Sequence, residues 1–218
     1  MFFNANRIFV YVFVAASALA GISCSTVPVN LGVAKEEVIK YYDSGMFDAA
    51  VNRTADNAIS SFKNIKLTGN DAVVFDIDET ALSNYDYSKE NDFGYVPDLW
   101  DKWIDEAKAP AIKGVKHLYD YLISRGFKIV FITGRKEYQY KATYKNLVNA
   151  GYTKFDTLIV RLPSEYNLTA LEYKSAQRTA LVNHGYKIAG DVGDQYSDLE
   201  GPYHGITVKI PNYQYIIR

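Results

Sequence analysis

The stretch Ala72-Val73-Val74-Phe75-Asp76-Ile77-Asp78-Glu79-Thr80 decides the fold, because four apolar residues in it run directly into acidic ones. A short, continuous apolar run is typical of a strand that is buried on both faces of a parallel sheet. Carboxylates at the end of such a strand are costly unless they are paired or bind a metal. The stretch therefore predicts a buried strand with a functional site at its carboxyl end.

The same alternation of apolar runs and helical patterns continues on both sides of this strand. Further strands are predicted over residues 127–132, 157–160, 187–190 and 206–210. Helices are predicted over residues 97–108, 113–125, 137–150 and 171–184, with two more between 33 and 62 that separate near Ser44-Gly45. This pattern predicts an α/β fold with a doubly wound, mainly parallel sheet, N-terminal helices and a small cap insertion, at about residues 84–110, after the first strand.

Three more polar motifs follow predicted strands or begin a helix. The second strand runs into Thr133-Gly134-Arg135, the fourth is followed by Gly193-Asp194-Gln195-Tyr196-Ser197-Asp198, and Tyr173-Lys174-Ser175 begins a helix. Ligands bind at the carboxyl ends of parallel strands, so these groups are expected in one crevice with Asp76 and Asp78. Each motif alone is also typical of an ordinary turn, helix cap or solvated helix residue. Their order within one alternating α/β pattern favours a catalytic site.

The amino-acid composition excludes several kinds of partner and site. The chain has 218 residues, 48% of them hydrophobic, and a net charge of −1, which is typical of one globular domain and gives no sign of nucleic acid as a partner. One cysteine excludes a disulfide framework, and three histidines are too few and too scattered for a histidine metal cage. Any phosphate chemistry must therefore rest on local carboxylates and cations.

The four motifs, read as D-I-D-E-T, F-I-T-G-R, Y-K-S-x-x-R and G-D-Q-Y-S-D-L, resemble those of the haloacid dehalogenase superfamily. Their wording is similar to the class B acid phosphatase group, which includes bacterial outer-membrane lipoprotein acid phosphatases and plant vegetative storage proteins. The resemblance covers the chain from about Leu31 to its C-terminus. It implies a metal-dependent acid phosphatase that hydrolyses phosphomonoesters, nucleotides among them, through an aspartyl-phosphate.

By this resemblance, Asp76 is the nucleophile and also a metal ligand. Asp78 is the general acid and base, and its backbone carbonyl is a second metal ligand. Asp194 is the third ligand, and Asp198 orients Lys174 or a water on the metal. Magnesium suits such a site because it is a hard cation that prefers carboxylate oxygens, water and phosphate.

The resemblance also implies that Thr133, Gly134 and Lys174 bind the transferring phosphoryl group. Arg135 is expected to contact phosphate, with a salt bridge as the alternative. A further acidic residue, Asp191, adds a carboxylate near the expected metal and leaves the choice of Asp194 as ligand open.

Two alternative functions stay open: a non-catalytic binding or storage protein of the same fold, and a phosphotransferase that passes the phosphoryl group to an alcohol. The substrate is also open. Aromatic residues cluster in the cap insertion, where they could stack on an aromatic leaving group or form a small core of the cap: Tyr85, Tyr87, Phe93, Tyr95, Trp100 and Trp103.

The N-terminal segment predicts export. Arg7 precedes the uncharged run from Ile8 to Ile22, which is shorter than the ~20 residues of a membrane span and is typical of a signal peptide. The expected organisation is a signal peptide over residues 1–23, a tether over 24–30 and the phosphatase domain over 31–218. Cys24 is the expected lipidation site, which would anchor the protein to a bacterial cell envelope, most simply the outer membrane. Cleavage after Ala18-Leu19-Ala20 would instead leave a periplasmic protein.

Overall fold

The computed structural model describes residues 28–217, which form a five-stranded, wholly parallel sheet covered by helices on both faces. The strands are β1 (Asp71–Phe75), β2 (Lys128–Lys136), β3 (Thr157–Arg161), β4 (Lys187–Gly193) and β5 (Ile206–Lys209). Their order in the sheet is β3-β2-β1-β4-β5. The chain therefore builds the sheet outward from β1 in one direction and then in the other, and ligands bind beside such a switch in strand order.

Eight helices surround the sheet in the described part of the chain. They are α1 (Leu31–Asp43), α2 (Met46–Phe62), α3 (Tyr85–Glu90), α4 (Pro97–Glu106), α5 (Lys113–Arg125), α6 (Tyr140–Asn149), α7 (Ala170–Asn183) and α8 (Tyr196–Leu199). A single turn of 3₁₀ helix, Glu137–Gln139, follows β2, and a second one, Pro163–Glu165, follows β3. The fold class predicted from the sequence, an α/β parallel sheet with N-terminal helices, is confirmed.

The two faces of the sheet carry separate apolar cores. The larger core lies under α2, α5 and α6 and includes Val73 and Phe75 of β1. The smaller core lies under α7 and includes Ala72 and Val74 of the same strand. Because successive side chains of a strand point to opposite faces, β1 must be apolar at every position, and all five of its residues are buried. The burial continues into Asp76, the next residue.

Two strands extend further than the sequence predicts. β2 continues through Thr133 and Arg135 to Lys136, and β4 continues past Gly190 through Asp191 to Gly193. Polar residues at these positions are typical of strand ends. In the structure Thr133, Arg135 and Asp191 are buried within the strands, where each has a polar partner. The helix α3 was not predicted, and the helix expected from Glu137 begins as a 3₁₀ turn.

No helix among residues 28–217 combines the length and apolar character that crossing a bilayer requires. The predicted signal peptide and the predicted lipidation site Cys24 lie outside the described residues.

Candidate active site

Asp76 is held at the end of β1 from two sides. Its backbone N–H donates to the carbonyl of Val192 in β4, at 2.9 Å. Its carboxylate Oδ1 lies 2.5 Å from Nζ of Lys174, which the first turns of α7 carry to the same sheet edge. The ammonium group of Lys174 also contacts the carboxylate of Asp198. The sequence motifs around these three residues, far apart in the chain, thus meet in one buried ionic cluster.

A third carboxylate completes this cluster. Asp194 follows β4 directly, and one carboxylate oxygen from each of Asp76, Asp194 and Asp198 lies within 4.8 Å of the others. The carboxylate of Asp194 is fixed by donors on every side: Thr80 Oγ1 at 3.1 Å, Gln195 Nε2 at 2.5 Å and Asn212 Nδ2 at 2.7 Å. These three buried carboxylates could hold a metal ion. Asp76 and Asp194 are two of the ligands expected from the sequence, whereas Asp198 is expected to orient Lys174 or a water on the metal.

Charge in the cluster is unbalanced, since three buried carboxylates share one ammonium group. Burial raises the pKa of Asp194 to about 6, and repulsion from Asp198 adds to the effect. Burial likewise raises the pKa of Asp76, against the attraction of Lys174. Although burial opposes it, the carboxylates of Asp198 and Asp76 raise the pKa of Lys174, which therefore stays protonated. A further positive charge would relieve the remaining repulsion among the carboxylates.

Asp198 is placed by the loop that leaves β4. Its Oδ2 accepts a hydrogen bond of 2.9 Å from the backbone N–H of Gln195. Any side chain at Gly193 would overlap the Asp198 side chain, so this approach requires glycine at the end of β4. With its other oxygen on Lys174, Asp198 is in the position that orienting Lys174 requires.

Asp78 lies nearer the surface and is bound by two side chains. Arg135 approaches Oδ1 of Asp78 with Nη2 at 2.6 Å and Nε at 3.1 Å, and Asn84 Nδ2 donates to the same oxygen at 2.9 Å. The salt bridge that the sequence left as an alternative for Arg135 is thus the arrangement in the structure. A hydrogen bond of 3.2 Å from Nη1 to Thr143 Oγ1 fixes the guanidinium further.

Thr133 and Gly134 differ in access to the crevice. Gly134 is exposed, and the space where a side chain would begin is open. Thr133 is fully buried, and its hydroxyl accepts a hydrogen bond of 3.2 Å from the backbone N–H of Arg135. In this geometry Gly134 is open to a ligand, whereas Thr133 supports the backbone behind it.

Asp191 does not belong to the group of three carboxylates that could hold a metal. Its Oδ2 accepts from the backbone N–H of Gly205 at 3.0 Å, and its Oδ1 lies 3.6 Å from Nη1 of Arg178. Asp191 occupies the middle of β4, whereas Asp194 follows the strand and joins the cluster. Of the two, Asp194 is thus the one that joins the cluster, and its role as a metal ligand stays a prediction.

Glu79, the residue after Asp78, is buried and is not among the site residues expected from the sequence. Its carboxylate accepts from the backbone N–H of Asn84 at 2.7 Å, from Asn84 Nδ2 at 3.2 Å and from the hydroxyl of Tyr215 at 2.7 Å. Burial raises the pKa of Glu79 to about 8, and Asp78 contributes to the rise. The third acid of the D-I-D-E-T motif was the available signal, but nothing in the sequence pointed to Tyr215.

A cavity of about 650 Å³ opens above the carboxylate cluster and is far larger than a phosphate group. Seven aromatic side chains contribute to its wall: Tyr87, Phe93, Tyr95, Trp100, Tyr138, Tyr166 and Tyr215. The cap also has buried packing of its own, since Tyr87 packs against Trp103, whose Nε1 donates to Asn84. The aromatic residues therefore divide between the cavity wall and packing within the cap, while Tyr85 stacks on Tyr42. Stacking of the residues in the wall on a leaving group stays a prediction.

Comparison with known proteins gives a family match over most of the chain. The sequence model described as HAD superfamily, subfamily IIIB (Acid phosphatase), where HAD stands for haloacid dehalogenase, matches residues 15–218. Acid phosphatase 1 of Solanum lycopersicum is 36% identical over 188 residues, which cover 83% of this chain and 74% of that protein. Vegetative storage protein 1 of Arabidopsis thaliana is 31% identical over 204 residues, which cover 90% of this chain and 74% of that protein.

A stem 31 kDa glycoprotein of Glycine max is 40% identical over 153 residues, which are 68% of this chain and 60% of that protein. Among solved structures, the class C acid phosphatase from Bacillus anthracis superposes with a TM-score of 0.69 over 85% of each chain, at 24% sequence identity. That likeness establishes a common fold.

Proposed function

The chain belongs to subfamily IIIB of the haloacid dehalogenase superfamily, the acid phosphatases, and from that premise we propose that it hydrolyses phosphomonoesters through an aspartyl-phosphate on Asp76. Its enzyme class, a phosphoric monoester hydrolase, follows from the family and from its identity to a named acid phosphatase. The observation that carries the proposed mechanism is the carboxylate of Asp76, held 2.5 Å from Lys174 at the base of the cavity.

In the first step, an oxygen of Asp76 attacks phosphorus and the bond to the leaving oxygen breaks. Lys174 and the exposed backbone at Gly134 are placed to bind the phosphoryl oxygens as charge shifts in the transition state. Asp198 contacts Lys174 and keeps its ammonium group beside Asp76. Thr133 supports this backbone through its contact with Arg135.

Asp78 is the proposed acid and base. It gives a proton to the leaving alcohol and then takes one from the water that attacks the aspartyl-phosphate, which releases phosphate and restores Asp76. Arg135 and Asn84 both bind Oδ1 of Asp78, so they fix the direction of the carboxylate. The side chain lines the cavity, where a leaving group must lie.

The donor set fits a hard divalent cation, and we assign Mg²⁺ to it. Asp76 and Asp194 would hold the ion through carboxylate oxygens and Asp78 through its backbone carbonyl, while Asp198 is engaged by Lys174. The set contains only oxygen donors, which Mg²⁺ prefers. A bound Mg²⁺ would neutralise the repulsion between the carboxylate cluster and an approaching phosphate dianion.

The size and lining of the cavity support substrates with a sizeable, planar leaving group, including nucleotides. Trp100 and Tyr95 offer ring faces, and Arg135 lies 5.8 Å from the ring centre of Trp100. Aromatic faces favour stacking with a base or an aryl group.

Trapping the covalent intermediate tests this function directly. An acid quench during turnover of 4-nitrophenyl phosphate with Mg²⁺ should leave one phosphoryl group on the peptide that contains Asp76, and free phosphate should be released. Absence of both would favour a non-catalytic binding or storage protein, the other role named among the relatives. Phosphorylated glycerol as a product, when glycerol is added in excess, would identify a phosphotransferase.

For the N-terminal region we propose export, with a signal peptide over residues 1–23, a tether over 24–30 and a lipid on Cys24. The uncharged run before the single cysteine supports it, and several acyl chains would anchor the protein durably. In a bacterial host, Cys24→Ala should abolish palmitate labelling and move the activity to the soluble fraction. An unmodified protein that is already soluble and begins at Gly21 would contradict lipidation.

A further inference from the structure

Two further cations line the cavity that contains the carboxylate cluster. Lys136 ends β2 and Arg161 ends β3, and the two residues are partners in the register of these neighbouring strands. Both side chains contribute to the wall of the cavity that contains Asp76 and Asp78. The wall of the cavity therefore carries two positive charges in addition to those of Lys174 and Arg135.

Within residues 28–217, neither cation has a carboxylate within 4 Å. Arg161 donates through Nη1 to the backbone carbonyl of Leu168 at 2.9 Å, while its buried Nε has no hydrogen-bond partner. Nζ of Lys136 lies 5.9 Å and 5.5 Å from the ring centres of Tyr138 and Tyr166. The charges are thus positioned but not neutralised.

The acidic residues that could have paired with these cations are bound elsewhere. Asp101 accepts hydrogen bonds from Tyr138 and from Gln139. The carboxylate of Glu165 accepts from the backbone N–H of Leu162 and from Gln177. An anion that enters the cavity would therefore meet both cations without displacing a salt bridge.

The strand geometry limits the distance from Lys136 to the predicted phosphoryl site. Lys136 follows Thr133 by three residues along β2, across an irregularity in the strand register, so the usual rise of a strand sets their Cα atoms at most ~10 Å apart. We propose that Lys136 and Arg161 form a second anion subsite, which selects phosphomonoesters that carry another phosphate or carboxylate on the order of 10 Å from the ester that is hydrolysed. This inference rests on the proposed phosphatase function, because it assigns the leaving-group side of the same cavity.

A series of α,ω-alkanediol esters tests the subsite without any contribution from base stacking. For each chain length, kcat/KM for release of the first phosphate is compared between the bisphosphate and the monophosphate of the same diol. We expect the bisphosphate to be preferred about tenfold at an intermediate chain length, beyond the statistical advantage of two equivalent esters. The preference should arise in KM, since the second phosphate takes no part in bond breaking.

Substitutions identify the groups responsible. Lys136→Gln should bring the preference down to the statistical value, and Lys136→Arg should retain most of it. Arg161→Gln should have the same effect as Lys136→Gln. Arg161 also binds the backbone carbonyl of Leu168, so Arg161→Gln could fail to fold, and the test then rests on the exposed Lys136. Lys145→Gln, an equal charge change on the exposed face of α6, should leave the preference unchanged.

The subsite is refuted if the preference is statistical at every chain length, or if Lys136→Gln leaves it intact. If neither ester is hydrolysed, the proposed phosphatase function fails instead. In that case, calorimetry measures the affinities of the same two esters for the unmodified chain and for Lys136→Gln. Tighter binding of the bisphosphate that is lost in Lys136→Gln would support the subsite, and equal binding or an unchanged preference would refute it.

Discussion

The hydroxyl of Tyr215 lies 2.7 Å from Oε2 of Glu79, which ties the C-terminal segment to the loop that carries Asp78. Glu79 has a φ of 56°, in the left-handed region that residues other than glycine rarely adopt. Hydrogen bonds from Asn84 and Tyr215 hold its carboxylate in this conformation. Asn84 in turn donates to Asp78, so the network fixes the direction of the proposed acid and base.

We predict that Tyr215→Phe lowers kcat about tenfold and leaves KM nearly unchanged. Losing this hydrogen bond removes about 1 kcal/mol that holds the loop, and a small displacement of Asp78 slows proton transfer more than binding. Steady-state kinetics with an alkyl phosphate would measure the split.

The matched control is Tyr213→Phe, which removes the same hydroxyl from an exposed ring that packs on Tyr41. Its kinetics should equal those of the unmodified chain. Equal losses in both variants would mean that the segment acts through general stability and not through Glu79.

The two aspartates that follow β1 should fail differently when substituted. Asp76→Asn removes the nucleophile, so turnover and the acid-stable phosphoprotein should both disappear, with a loss of at least about a thousandfold. Asp78→Asn removes the proton donor, so alkyl phosphates, with their poor leaving groups, should lose on the order of a thousandfold and 4-nitrophenyl phosphate considerably less. The measurement is kcat/KM for both ester types with both variants.

The contrast between esters is the decisive part of that experiment. If Asp78→Asn loses the same factor with both types, Asp78 is not the acid. If Asp76→Asn still forms the phosphoprotein, another residue is the nucleophile.

Metal removal should abolish hydrolysis, and Mg²⁺ should restore it. A cation that binds only the folded chain also stabilises it, by about 2.7 kcal/mol at one hundred times its dissociation constant, so Mg²⁺ should raise the melting temperature by several degrees. Asp194→Asn should lose this rise, because Asp194 contributes to the carboxylate cluster. Asp191→Asn should keep it, because Asp191 contacts Gly205 and Arg178 instead. Full activity after exhaustive dialysis against a chelator would contradict the assignment.

Local sequence patterns predict much of the fold. Gly126 ends α5 in a left-handed conformation, and the wholly apolar β1 is buried on both faces, so sequence predicts both elements closely. The family and the fold class are likewise confirmed. Asp191 shows why β4 was predicted too short, because a carboxylate inside a strand is acceptable only when distant groups bind it.

For the site, the sequence predicts which motifs meet but not which hydrogen-bond and ion-pair partners each side chain has. Asp76 and Lys174, 98 residues apart, come together because both belong to the same edge of a parallel sheet. The contact between Glu79 and Tyr215 spans 136 residues and follows no strand or helix rule. Arg135 contacts Asp78, and the sequence alone does not distinguish this contact from one with phosphate.

Asp191 should make stability depend on pH in a direction unusual for a carboxylate. Burial raises its pKa from the ordinary 3.8 to about 6, so the folded chain holds this proton more tightly than the unfolded chain, and its contribution is lost as pH rises from 4 to above 6. The difference of about two in pKa corresponds to ~3 kcal/mol. The free energy of unfolding of Asp191→Asn, relative to the unmodified chain, should therefore improve by about that amount between pH 4 and pH 7.5 in urea titrations with chelator present. Asp105→Asn, on the exposed face of α4, should show no such change, and an equal change in both variants would exclude Asp191 as the cause.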